Sequence, residues 1–168
     1  MKRARLSLRR ECGGTAAAEM ALVLPLLLTI MFGSLELGNY FMNEHTLVKA
    51  VRDGARFAAR QSFANYPDCS TVSTTARDST RNVVMNGALA GGSIITPNIE
   101  SGDIDVTTSC AADAGGETMS GIYAGRANGA QIVTVSATVA YRPVVSAFGF
   151  TGIGLNLNAA SQAAVTGI

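Results

Sequence analysis

This 168-residue chain holds one histidine, three cysteines and few charges, which leaves little from which to build a reactive centre. His45 stands alone, so no nucleophile–base pair can be assembled on it without other unusual groups. It reads as a solvated position on a helix. No Cys/His run has the spacing of a zinc site. Asp103, Asp105, Asp113 and Glu117 are acids in one region, yet they lack the pattern of a calcium-ligand loop. The glycine pairs at 91–92 and 115–116 lack the context of a phosphate loop. The expectation is therefore no enzyme, no catalytic residue, no cofactor and no metal. Internal repeats are absent as well.

Charged residues make up only 15% of the chain and hydrophobic ones 48%. The net charge of +1 hides an asymmetry. Lys2, Arg3, Arg5, Arg9 and Arg10 against Glu11 give residues 1–14 a net +4, which leaves −3 for the rest. A mildly acidic body with a basic head argues against a nucleic-acid partner. The head has the character of a cytoplasmic leader or anchor under the positive-inside rule.

Beyond the head the chain turns apolar. Met20 to Leu35 carries no charge, and Leu37 to Met42 resumes the apolar character after Glu36. A bilayer needs about 20 apolar residues as helix. Ala16 to Phe41 is long enough, although it contains Glu19 and Glu36. Carboxylates inside a membrane cost several kcal/mol and usually have partners, so these two have roles or lie at the interfaces. A secretory signal peptide is the competing reading, with Gly33-Ser34 or Gly38 as loose cleavage candidates. Against it, helical periodicity continues smoothly through Leu47, Val51, Gly54/Ala55 and Ala58, with Arg52, Arg56 and Arg60 as a basic ridge elsewhere on the wheel. That ridge reads first as a solvated or ion-paired face. One helix from about Ala16 to Gln61 would be roughly 70 Å long. Pro25 removes one N–H from it, which a membrane helix tolerates when neighbours compensate.

Tyr66-Pro67-Asp68 is expected to end this helix. Thr71 to Ala90 reads as a second one, with Val72, Ala76, Val83 and Gly87 on one side and Gly91-Gly92 as its stop. Three alternating segments then read as strands: Ile104/Val106/Thr108/Cys110, Val133/Val135/Ala137/Val139/Tyr141 and Leu155/Leu157/Ala159/Ala163. Ala111 to Gly129 reads as an exposed Gly- and Ala-rich loop. The fold class is α+β: a long N-terminal helix packed on a short helix and a small antiparallel sheet of about three strands, because such a sheet must bury its apolar face. The expected division is a leader at 1–14, a helix at 15–63 and an extracytoplasmic domain at 64–168. Cys69 and Cys110 would then face an oxidising compartment and can pair; two separately buried thiols are the alternative.

One short motif carries chemistry. In Gly14-Thr15-Ala16-Ala17-Ala18-Glu19 a glutamate stands five places after a glycine, between a basic head and an apolar run. Gly13 has Ala18 in that place. The motif resembles the processing site of type IV prepilins and pseudopilins. The resemblance implies cleavage after Gly14 by a membrane prepilin peptidase, with Thr15 as the new N-terminus. The run from Gly14 to Leu26, with Phe32-Gly33, Leu35-Glu36-Leu37-Gly38 and Val51 to Ala59, is similar to the TadE/TadG-like minor pseudopilins of tight-adherence (Tad) pili. That resemblance covers about residues 9–61. It implies a bacterial inner-membrane protein with its C-terminal domain in the periplasm or outside. It also implies a role in assembly, initiation or tip formation, with other Tad pilins and pseudopilins and the assembly platform as partners. Glu19, Pro25 and Glu36 are its assembly residues. The alternative class is a single-pass envelope protein that binds a surface ligand through the 111–129 loop.

Overall fold

A computed structural model describes residues 13–111, 120–126, 129–148 and 154–167. The basic head thus lies outside the described residues, as do Asp113, Glu117 and most of the proposed ligand loop. Helix α1 runs Gly13–Ala59 and α2 Thr74–Asn86; the strands are β1 Ile104–Ala111, β2 Ala130–Ala140 and β3 Asn156–Ala164. The α+β class and the three-stranded sheet hold. The chain divides into two compact units, with the boundary at Gly38/Asn39 inside α1.

The first unit is helix alone as far as it is described. Its large apolar side chains are solvent-facing, from Met20 at 66% exposed through Leu22 at 79% to Leu35 at 63%. Roughly 1.5–3 kcal/mol per side chain is forgone when such groups stay in water. About a dozen of them amount to more than a typical domain's whole stability. This helix is long and apolar enough to cross a membrane.

The second unit is a sheet covered on one face by helix. The strand order is β1-β2-β3, antiparallel throughout. Register pairs Val106 with Val135 and Val139 with Leu157, so the apolar positions of adjacent strands share a face. That face carries Ile104, Val106, Val133, Val135, Val139 and Leu157, all at 2% exposure or less. Leu47, Val51, Ala55 and Ala58 of α1 join the same core, as the period of about 3.6 predicted. The other face of the sheet is polar, with Thr138 donating to Asn158 across β2 and β3 at 3.0 Å.

Helix α2 differs from its predicted form. It is shorter than Thr71–Ala90, and its buried side is Ala76, Thr80 and Val84, continuing the line of Val72, rather than Val83 and Gly87. The true stripe repeats every four residues and includes a threonine, whose hydroxyl bonds back to the Ala76 carbonyl at 2.7 Å and so enters the core satisfied. Ser73 caps the start by accepting from Ala76 N. Gly87 ends the helix before Gly91-Gly92, adopting φ 67°, which costs glycine little. Against this helix lies Gly54 of α1: a Cβ there would overlap Val84 Cγ2. The two helices approach this closely because Gly54 has no side chain.

The ends of the other elements also shift. Helix α1 begins at Gly13 and stops at Ala59, before Tyr66-Pro67-Asp68. Leu155 is 45% exposed; β3 starts after it, and Val165 beyond the strand is buried instead. Ala111 belongs to β1, and a 3-10 turn occupies Gly121–Tyr123 within the supposed loop.

Candidate functional site

All five residues that the motif and the apolar run single out lie on α1. Gly14 sits in its first turn, so the bond after it is helical rather than extended. Two adjacent glycines make that turn inexpensive to open, since each costs the helix about 1 kcal/mol relative to alanine. Thr15 and Glu19 are four residues apart, which puts both on one side of the helix. Glu19 is exposed. Among the described residues, none forms a hydrogen bond or ion pair with its carboxylate. Pro25 is accommodated without a break, and its carbonyl accepts from the Thr29 hydroxyl at 2.8 Å.

Glu36 lies 17 residues beyond Glu19. At 1.5 Å per residue the two carboxylates are separated by roughly 25 Å along the helix. That is slightly less than the roughly 30 Å hydrocarbon thickness of a bilayer. Both acids therefore fit near the two boundaries of one span, where a long side chain reaches water. Gly33 and Gly38 have open space where a Cβ would be, in contrast to Gly54. Among the described residues, no group of three or more His, Cys, Asp or Glu could hold a metal ion. His45 is exposed on α1.

The far end of α1 is held by contacts that sequence patterning does not register. Tyr66 is 1% exposed, and its hydroxyl donates to the Ala58 carbonyl at 2.7 Å. That carbonyl also accepts from Gln61 N at 3.1 Å, and the next one, Ala59, accepts from Thr166 N at 2.7 Å. Buried Gln131 donates from Nε2 to the Tyr66 carbonyl at 2.6 Å and accepts from Arg126 Nη1 at 3.0 Å. The Arg126 guanidinium in turn lies 3.6 Å from the centroid of Phe63. Burial pushes the Tyr66 phenol up to about 12. The signal for this cluster was Gln131, a polar residue on the inward beat of β2. A buried amide requires partners.

Beside it, Cys69 and Cys110 form a disulfide with Cα atoms 5.1 Å apart, joining the segment after α1 to the end of β1. Asp68 accepts from Ser70 N at 2.7 Å and from the Thr71 hydroxyl at 2.8 Å. These hydrogen bonds, the Ser70 backbone first, hold its carboxyl below the usual carboxylate range.

Comparison with known proteins adds one finding. The family model described as TadE-like protein matches residues 14–56, starting at the glycine of the motif. No curated protein and no solved structure matches the chain.

Proposed function

From the TadE-like domain at residues 14–56, we propose that this Tad-pilus-associated chain is a minor pseudopilin: a structural subunit, not a catalyst. The observation that carries the reading is the coincidence of that match with the Gly14–Glu19 motif at the head of an apolar, solvent-facing helix. A prepilin peptidase removes residues 1–14 on the cytoplasmic side. Thr15 then carries a new ammonium group. In an assembly, Glu19 of one subunit lies beside the Thr15 amine of a neighbour, each charge offsetting the other at low dielectric, where an unpartnered charge is costly. The protein resides in the bacterial inner membrane as a single-pass subunit with its second unit outside the cytoplasm. It acts in pilus assembly, initiation or tip formation with other Tad pilins and pseudopilins on the assembly platform.

The test is co-expression with a prepilin peptidase, then mass spectrometry of the membrane-bound chain. The expected mature N-terminus is Thr15. A membrane form that retains Met1 overturns the reading. Glu19→Ala should still be cleaved yet fail to enter pili, and normal piliation in that variant removes the assembly role given to Glu19.

A further inference from the structure

The sheet of the second unit has two edges, and they differ. On β1, Arg81 of α2 donates to the Ile104 carbonyl at 3.0 Å, Asp105 supplies a charge and Cys110 is tied to Cys69. Strand β3 has none of these guards. Residues 143–168 carry no charge, β3 contains no proline, and its register with β2 runs without a bulge. Charges, prolines and bulges are the usual means of keeping an edge from pairing with another chain.

The register shows which backbone groups of β3 are free. Tyr141 N donates to the Leu155 carbonyl and Val165 N to the Gln131 carbonyl, both at 2.9 Å. Hydrogen-bonded pairs alternate along an antiparallel ladder, so residues 157, 159, 161 and 163 turn their N–H and C=O groups to β2. Residues 156, 158, 160, 162 and 164 turn theirs away from it. The Asn156 carbonyl accepts from the Tyr40 hydroxyl at 3.3 Å. Among the described residues, none bonds to the outward backbone groups of Asn158, Ala160, Gln162 or Ala164, and all four residues are exposed. This row of alternating donors and acceptors is roughly 20 Å long, the length of an ordinary strand.

The direction of α1 decides whose strand fits. Asn39 bonds the Tyr141 hydroxyl and Tyr40 the Asn156 carbonyl at one end of the sheet, while Ala59 accepts from Thr166 at the other. Asn39–Ala59 therefore runs the same way as β3. Antiparallel two-fold pairing of two β3 edges reverses α1 in the second copy, so the two Asn39 ends point in opposite directions. Chains anchored in one bilayer enter it from the same side. The flanking side chains define the rest of the fit. Ala159, Ser161 and Ala163 are small on the core side, which leaves room for larger apolar residues at alternate positions of an incoming strand.

We propose that the free edge of β3, residues 158–164, is a strand-addition site for an extended, uncharged segment of a different pilus subunit. The proposal rests on the pseudopilin reading.

The test combines the processed full chain in detergent with each purified Tad pilin and pseudopilin of the same bacterium and follows amide exchange residue by residue by NMR. In the complex, the amides of Ala160, Gln162 and Ala164 should exchange about tenfold or more slowly than in the chain alone. Ala160→Pro deletes an outward N–H that an edge strand can spare, so its thermal midpoint should hold while the complex weakens at least about tenfold. Gln162→Pro, also outward, should behave alike, whereas Ser161→Pro removes a donor to β2 and should destabilise the fold. No complex with any of these subunits, or a complex whose edge amides exchange as fast as before, overturns the proposal. Slowing in the chain alone that grows with its concentration assigns the edge to a second copy and overturns the chosen partner. The two readings fail separately: a chain that retains Met1 with the peptidase overturns the pseudopilin reading, and a processed chain with an unprotected edge overturns strand addition alone.

Discussion

The Tyr66 hydroxyl donates to the Ala58 carbonyl at 2.7 Å, so a side chain from beyond the helix adds a second donor to a carbonyl that also accepts from Gln61 N at 3.1 Å. The last four carbonyls of any helix have no partner within it. Here a tightening turn and the phenol share one such position, while the phenol's own backbone carbonyl is held by Gln131. Tyr66→Phe keeps the shape and deletes this donor, while the Ala58 carbonyl keeps its bond from Gln61 N. The expected loss is about 0.5–1.5 kcal/mol, read as a lower thermal midpoint of the full chain in detergent.

The same phenol gives a pH dependence. Its folded value of about 12 lies above the ordinary tyrosine value of 10.0, so the folded state holds the proton more tightly than the unfolded one. Its contribution is complete below pH 10 and declines as pH rises toward 12. Unfolding midpoints of the parent chain should drop across that window more steeply than those of Tyr66→Phe. Parallel curves would show that Tyr66 does not titrate with unfolding.

Asp68 acts at the other end of the scale. Its carboxyl is held below the usual range by the Ser70 and Thr71 donors. Its stabilisation is present above the unfolded carboxyl value and is lost as pH falls through the depressed one. Acid titrations of the parent chain and Asp68→Asn should show a gap in stability at neutral pH that closes toward low pH. A gap that persists at the acid end would assign the effect to shape rather than charge.

Gly54 sets the spacing of α1 and α2. Gly54→Leu places atoms where Val84 already lies, and overpacking of this kind costs about 1–3 kcal/mol. Gly54→Ala combined with Val84→Ala should recover part of the loss of Gly54→Ala alone. A double-mutant cycle of thermal midpoints measures that coupling, and strict additivity would show that the two residues do not meet.

The disulfide makes thiol counting a report on processing. With Cys69 and Cys110 joined, Cys12 is the remaining cysteine of the chain. Without reductant, an alkylating reagent should add one label to the precursor and none to the chain that starts at Thr15. Breaking the bridge by Cys69→Ser with Cys110→Ser should cost about 4 kcal/mol in the chain-entropy account.

Much of this architecture is legible in the residues. Leu47, Val51, Ala55 and Ala58 repeat at helical spacing, and Val133 to Val139 alternate, so the periods alone assign both faces. Patterning fails where a polar residue belongs to the core. Thr80 hides the stripe of α2 because its hydroxyl is satisfied by its own helix, which no hydrophobicity pattern registers. The end of α1 escapes for a related reason. Its carbonyls are met by Tyr66 and Thr166, one of them 107 residues away in sequence, and such a cap has no local signature. At the candidate site the motif and the apolar run are evident. The Arg126–Gln131–Tyr66 chain is not, because its members converge only through the fold.

Thr166 bonds the final carbonyl of α1, Tyr66 the one before it, and the Cys69–Cys110 bridge ties the next segment to β1. A tensile load arriving along that helix is thus shared by linkages to residues as far along the chain as Cys110 and Thr166. Such an arrangement divides the force among several bonds, one of them covalent, where a single tether would carry all of it.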